Sequence, residues 1–193
     1  LFALGSDGQL YTVDLSVTGV ATVTKANQFG PKVGFGELDL TAGVGFDFNP
    51  AADRIRITVG ARNYRLQTNG VIDGEGPPNT GLPGTLQYVA GDPGAGSTPQ
   101  VTGAAYTNST RSATLPAATA LFDLEVGRDV LVRQNPANAG TLLTIGSLLL
   151  DATGVGGFDV SPDGTKTAYA VLTTDTGQGL YSVDLASGEP KLL

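Results

Sequence analysis

Short runs of alternating or apolar residues recur along the chain between turn sequences rich in Gly, Asn, Asp and Pro. Each run is four to seven residues long, which is typical of a β-strand and too short for a helix. Turn sequences such as Thr68-Asn69-Gly70 and Asn138-Ala139-Gly140 separate the runs. The pattern predicts an all-β protein with strands at residues 1–4, 9–15, 20–24, 54–59, 64–68, 86–90, 120–125, 130–133, 141–145, 167–172 and 180–185.

Two sequence elements repeat along the chain. The run LYTVDL at 10–15 returns as LYSVDL at 180–185, and GFDFNP at 45–50 returns as GAAYTN at 103–108 and GFDVSP at 157–162. Repeated elements of this kind are typical of rings of small sheets that bury their faces against one another. We therefore predict one domain, a small β-propeller-like ring of about four units at 1–43, 44–101, 102–155 and 156–193. A β-sandwich or an open barrel of duplicated hairpins is the alternative.

Charge and composition exclude several classes of function. The 193 residues carry a net charge of −7, with only 15% charged residues, so phosphate neutralisation and nucleic-acid binding are not expected. No apolar run reaches the 18 residues of a membrane span. The chain begins at Leu1 and contains no Met, from which we expect a removed leader and an extracytoplasmic location.

The absence of His and Cys removes the usual general base, the thiol nucleophile and the ligands that zinc and copper prefer. A dismutase-type redox centre would therefore need ligands from a partner chain. The cofactor stays unknown, and only an oxygen-ligated ion such as calcium or magnesium is open to this chain.

Four of the seven arginines lie within twelve residues, at positions 54, 56, 62 and 65. In a strand, Arg54 and Arg56 point to one face. With Arg65 they form a candidate ligand site, because guanidinium groups bind carboxylate, sulfate or phosphate through paired hydrogen bonds. The alternative is that the arginines join neighbouring strands through ion pairs with Asp47, Asp53 and Asp73.

Oxygen-bearing residues alternate in two of the repeated elements. The run 159–164 resembles the start of a calcium loop, but Ala170 stands where a bidentate Glu is expected. A type I turn explains the same residues without an ion. The candidate metal ligands are Asp47, Asn49, Asp53, Asp159 and Asp163.

Asp14, Asp123 and Asp184 occupy similar positions near predicted strand ends. The simplest interpretation is that each carboxylate caps the following turn by accepting backbone N–H groups. The alternative is that they project into a shared channel as an acid and base pair, as in glycoside hydrolysis.

Several segments together resemble one protein family. The block 45–56, followed by Asn63-Tyr64-Arg65, carries the resemblance, and the segments 104–109, 121–123, 134–142, 157–159 and 180–185 agree with it in order. The chain is similar, over nearly its whole length, to the bacterial family known as domain of unknown function 4394. The resemblance implies a secreted or envelope-exposed protein with a repeated β architecture, and it implies no activity.

The sequence favours a non-catalytic binding or assembly module of the bacterial cell envelope, such as a surface-layer or outer-membrane complex subunit. Its expected partners are other envelope or surface proteins. The alternative is a metal- or carboxylate-dependent surface enzyme, either glycosidase-like or of dismutase type. Enzymatic activity is left open, with the non-catalytic interpretation favoured.

Overall fold

The computed structural model describes residues 1–5, 10–17, 19–27, 43–68, 84–110, 114–162 and 167–193. These residues form strands and turns and contain no helix that is long and apolar enough to cross a membrane. Sixteen strands occur in the described ranges: β1 (Phe2–Leu4), β2 (Leu10–Val17), β3 (Val20–Asn27), β4 (Gly45–Asn49), β5 (Arg54–Val59), β6 (Arg62–Gln67), β7 (Gly84–Thr85), β8 (Gln87–Tyr88), β9 (Val101–Tyr106), β10 (Leu121–Glu125), β11 (Val130–Gln134), β12 (Thr141–Ser147), β13 (Gly154–Val160), β14 (Thr167–Thr174), β15 (Gly177–Asp184) and β16 (Pro190–Leu192).

The strands form four small sheets arranged in a ring, as in a four-bladed β-propeller. In order along each sheet, they are β1-β2-β3, β4-β5-β6-β7, β8-β12-β11-β10-β9 and β13-β14-β15-β16. Pairing is antiparallel, except that the short strand β8 pairs in parallel with β12. The predicted all-β ring of about four units is confirmed, in preference to the sandwich or barrel.

Neighbouring sheets bury their faces against each other. Strand β9 lies against β4 on one side and against β13 on the other. The central strand β5 is buried on both faces, because Ile55 and Ile57 pack in one apolar cluster while Arg56 is also enclosed. Leu124 and Leu131 of the third sheet pack against Val183 and other residues of the fourth. Apolar burial between sheets therefore holds the ring together.

Alternation did not predict the strands β4, β9 and β13, through which neighbouring sheets contact each other. Strands β9 and β13 each contain three Gly or Ala residues, and β4 begins at Gly45. At two of these glycines, a neighbouring strand approaches too closely for a larger side chain. A Cβ atom added to Gly45 would lie 2.6 Å from Cβ of Ala104, and one added to Gly103 would lie 3.1 Å from Cβ of Phe158.

Gly45→Ala is expected to lower the free energy of unfolding by about 1–3 kcal/mol, the usual cost of overpacking. The added methyl would lie 2.3 Å from Oγ1 of Thr58 and 2.6 Å from the backbone nitrogen of Ala104. Gly157 is the matched control, because it occupies the equivalent repeat position and an added Cβ meets nothing within 4 Å. Urea unfolding of both variants measures the difference. Equal losses in the two would contradict close approach at Gly45.

Candidate functional site

Arg56 is the centre of a buried polar network between the second and third sheets. Its side chain is 1% exposed. The guanidinium donates from Nε to the hydroxyl of Tyr106 (3.2 Å), from Nη1 to Oδ1 of Asn63 (2.8 Å) and from Nη2 to Oδ1 of Asn138 (3.0 Å). Nε2 of Gln134 donates to the same Asn63 oxygen at 3.1 Å. The buried guanidinium thus donates hydrogen bonds to neutral acceptors of the protein, which offset the cost of burying its charge.

Asp123, in the middle of β10, faces the same network. It is fully buried, and neither carboxylate oxygen has a hydrogen-bond partner within the described part of the chain. Burial raises the pKa of Asp123 to about 8, while the positive charge of Arg56 acts in the opposite direction. Asp123 is therefore mainly protonated and neutral at pH 7.

The expected turn caps are confirmed at two of the three aspartates. Oδ1 of Asp14 accepts the backbone N–H of Ser16 at 2.8 Å, and Oδ1 of Asp184 accepts that of Ala186 at 2.6 Å. The expectation is wrong for Asp123, because this residue lies inside a strand rather than before a turn. Its carboxyl group is enclosed between sheets, where no turn N–H reaches it.

Glu125, two residues further along β10, shows how a satisfied buried carboxylate differs from Asp123. Its Oε1 accepts the backbone N–H groups of Gln100 (2.7 Å) and Gly127 (2.9 Å), and its Oε2 accepts the hydroxyl of Tyr88 (2.7 Å). Burial, together with this hydrogen bond, raises the pKa of the Tyr88 phenol. The Glu125 contacts tie the loop before β9 to β10.

The predicted metal ligands are engaged with the backbone. Asp47 accepts the N–H groups of Tyr106 (2.6 Å) and Phe48 (2.7 Å), Asn49 accepts that of Ala51 (2.9 Å), and Asp159 accepts that of Val160 (2.8 Å).

Burial raises the pKa of Asp47 to about 6, although the two backbone hydrogen bonds lower it, and the charge of Asp159 adds a smaller increase. Asp53 is exposed in a turn at φ 47°. Among the described residues, no three acidic side chains are grouped to hold a metal. Asp163 lies outside the described residues, so the metal site stays a prediction.

The three predicted ligand-binding arginines lie on the neighbouring strands β5 and β6 but differ in their surroundings. Arg56 is enclosed in its network, and Arg65 is its directly paired neighbour on β6. Arg54 lies at the start of β5, where Nη1 donates to the carbonyl of Asp53 at 3.1 Å. The anion site at these arginines stays a prediction, as do their ion pairs with Asp47, Asp53 and Asp73, of which Asp73 lies outside the described residues. Arg56 joins strands through the neutral acceptors given above.

A pocket of about 460 Å³ lies between the third and fourth sheets. Phe122, Ile145, Val160 and Leu185 give it an apolar surface, and Arg133 is the single charged residue of its lining. Arg133 is exposed, and no described residue forms an ion pair or hydrogen bond with it. The remaining polar lining residues are Thr107, Asn108 and Ser161. Such a concave, mainly apolar site with few polar groups has the size and chemistry of a small-molecule pocket.

Comparison with protein families decides where the chain belongs. The family model for a domain of unknown function (DUF4394) matches residues 1–193. The chain is a member of the DUF4394 family. Curated proteins give no match. Membership confirms the family resemblance, while the bacterial source, the secreted location and any activity remain predictions.

The pocket of this DUF4394 protein was not predicted from its sequence. Arg133 is the only arginine of the predicted strand at 130–133. Phe122 belongs to the predicted strand at 120–125, whose apolar residues indicate a place in the core. One signal was available, since Arg133 follows the repeated element 103–108 as Arg65 follows the element 45–50. Recognising its importance requires knowing which strand faces the fourth sheet.

Proposed function

We propose that this DUF4394 protein is a non-catalytic extracytoplasmic binding module of the bacterial cell envelope, with the pocket between the third and fourth sheets as its ligand site. One observation carries the proposal. The pocket joins an apolar surface to a single guanidinium, and its lining contains no Asp or Glu. It can therefore hold a ligand, but it offers no general acid or base near neutral pH.

The positions of the perturbed carboxyl groups also support binding rather than catalysis. Asp47 and Asp123 have raised pKa values, as catalytic acids often do. Asp123 is enclosed between sheets, and both oxygens of Asp47 accept backbone N–H groups. Glycoside hydrolysis needs two carboxyl groups facing a bound sugar. Neither of these groups lines the described pocket, so the glycosidase alternative gains no support from it.

The envelope location and the partner proteins are part of the same proposal. The first sheet exposes Leu15, Val20 and Val23, each more than half accessible to solvent. Exposed apolar side chains of this kind can contribute to a protein interaction surface. Such a surface suits a subunit of a surface layer or an outer-membrane complex. Fractionation of the native organism, with copurifying chains identified by mass spectrometry, tests this part, and recovery of the protein from the cytoplasm alone would contradict it.

Filling the pocket is expected to abolish ligand binding. Ala186 lines the pocket, and Ala186→Phe places a ring in that space. Screening the wild-type protein by thermal shift against small acids, amines, sugars and neutral compounds should reveal stabilising ligands, because a ligand raises stability as RT ln(1 + [L]/Kd).

The variant should lose these shifts, while the exposed control Ala95→Phe keeps them. Ligands that stabilise Ala186→Phe and the wild type equally would refute the pocket as the binding site.

A further inference from the structure

The pocket and the Arg56 network occupy equivalent positions in neighbouring repeats. The repeated elements 45–50 and 103–108 lie on β4 and β9, and the strands that follow pair with them in the same order. At equivalent cross-strand positions stand Arg56 with Arg65 in the second sheet, and Phe122 with Arg133 in the third. The same structural position is therefore held by Arg56 in the second sheet and by Phe122 in the third.

These two side chains leave different amounts of space between their sheet and the next one. In the second sheet, Arg56 reaches across the interface and is held by Tyr106, Asn63 and Asn138. In the third sheet, Phe122 replaces that long cation and leaves about 460 Å³ open beside it. The arginine on the next strand is present in both sheets, as Arg65 and as Arg133, and Arg133 lines the pocket. The side chain of Arg56 fills the interface between the second and third sheets. The interface between the third and fourth sheets has space for a separate molecule.

We propose that this pocket binds a small amphipathic monocarboxylate, whose carboxylate pairs with the guanidinium of Arg133 while its apolar body covers Phe122, Ile145 and Val160. This inference rests on the proposed function, since it names the ligand class of the same pocket. A planar guanidinium matches a carboxylate through two parallel hydrogen bonds. The apolar lining matches a hydrocarbon or aromatic body, which gains affinity by leaving water.

The charges around the pocket favour a ligand with a single negative charge. Arg133 is the only charged residue of the lining, and the whole chain carries −7. A phosphate ester or a polyanion would meet one cation inside a negative field and keep uncompensated charge. Thr107, Asn108 and Ser161 provide neutral polar groups at the pocket. They suit a second, uncharged polar group on the same ligand.

The test compares an acid with its neutral analogue. Wild-type protein is titrated with 3-phenylpropionate, 3-phenylpropionamide and acetate, and binding is followed by calorimetry and by backbone amide NMR shifts. We expect 3-phenylpropionate to bind and to shift resonances of the lining residues. The amide, which cannot pair with the guanidinium as an anion, and acetate, which lacks the apolar body, should each bind at least about tenfold more weakly.

Two variants assign the effect to Arg133. Arg133→Gln should weaken 3-phenylpropionate at least about tenfold and bring it close to the amide. Arg62→Gln is the control, because Arg62 is another exposed strand arginine of similar chemistry outside the pocket. It should bind like the wild type, and both variants should keep the wild-type NMR dispersion.

Equal binding of acid and amide, or an unchanged affinity in Arg133→Gln, would overturn carboxylate recognition and leave the pocket as a binding site for neutral ligands. Absence of binding by the acid would overturn the inference as well. Failure of the proposed function is recognised separately, by ligands from the wider panel that ignore the Ala186→Phe substitution.

Discussion

Asp123→Asn is expected to remove most of the pH dependence of the free energy of unfolding between about pH 4 and pH 8. The folded-state pKa of Asp123 lies near 8, against an ordinary value of 3.8. A carboxyl group with a raised folded pKa stabilises the protein fully below pH 3.8, and this contribution is lost as the pH rises to about 8. The loss is on the order of 5 kcal/mol for a shift of this size. An amide has no proton to lose, so the variant should not show this decline.

Urea unfolding at several pH values from 4 to 9 measures the effect. Part of the decline should persist in Asp123→Asn between about pH 4 and 6, because Asp47 also has a raised pKa, near 6. Arg56 and Tyr106 are the other titratable groups around Asp123, and both keep their charge state in this range. Asp175→Asn, in an exposed turn, is the control and should keep the wild-type slope. Parallel curves for wild type and Asp123→Asn would refute a buried, protonated carboxyl group.

Arg56→Met is expected to lower the free energy of unfolding by about 3–5 kcal/mol, the usual cost of breaking a buried charged network from one side. The substitution preserves most of the apolar volume but removes the whole guanidinium, including its donors to Tyr106, Asn63 and Asn138. It leaves buried oxygen atoms of Asn63 and Tyr106 without the cation that organises them. Arg62→Met, at an exposed position of the next strand, should change stability by only about 0.5 kcal/mol. Urea unfolding of both variants at pH 7 gives the comparison.

The two substitutions also make a joint prediction. The charge of Arg56 lowers the pKa of Asp123, so Arg56→Met should raise that pKa further. Stability should then decline up to a higher pH than in the wild type. Arg56→Lys keeps the charge without the planar fork and should fall between the two. If Arg56→Met leaves the upper end of the decline unchanged, Arg56 does not act on Asp123.

Local pattern was sufficient for the architecture. Alternating apolar residues predicted strands such as those at 54–59 and 180–185, because side chains in a strand alternate between two faces whatever the fold. The repeated elements predicted a ring of about four sheets, since equivalent segments build equivalent units. Turn caps at Asp14 and Asp184 were predictable for the same reason. The contact that satisfies each carboxylate lies two residues away in the chain.

The functional geometry depended on which sheet faces which. Arg56 and Arg133 are both strand arginines in sequence, yet one is enclosed by neighbouring amides and the other lines a pocket. Asp123 resembled the capping aspartates, but packing between sheets removed its solvent and gave it no N–H donor. Strand β9 was not predicted by alternation because close approach between sheets selects small residues there, at Gly103 and Ala104.

The sequence by itself determined most of the elements that depend on neighbours in the chain: the strands with alternating apolar residues, their turns and the repeated order of the sheets. Tertiary structure alone decided burial, the pKa of Asp123 and the pocket beside Arg133. Those properties depend on desolvation and on contacts between residues tens of positions apart, such as Arg56 with Tyr106 and Asn138. A local sequence pattern cannot predict these contacts, because they form only when the sheets pack into a ring.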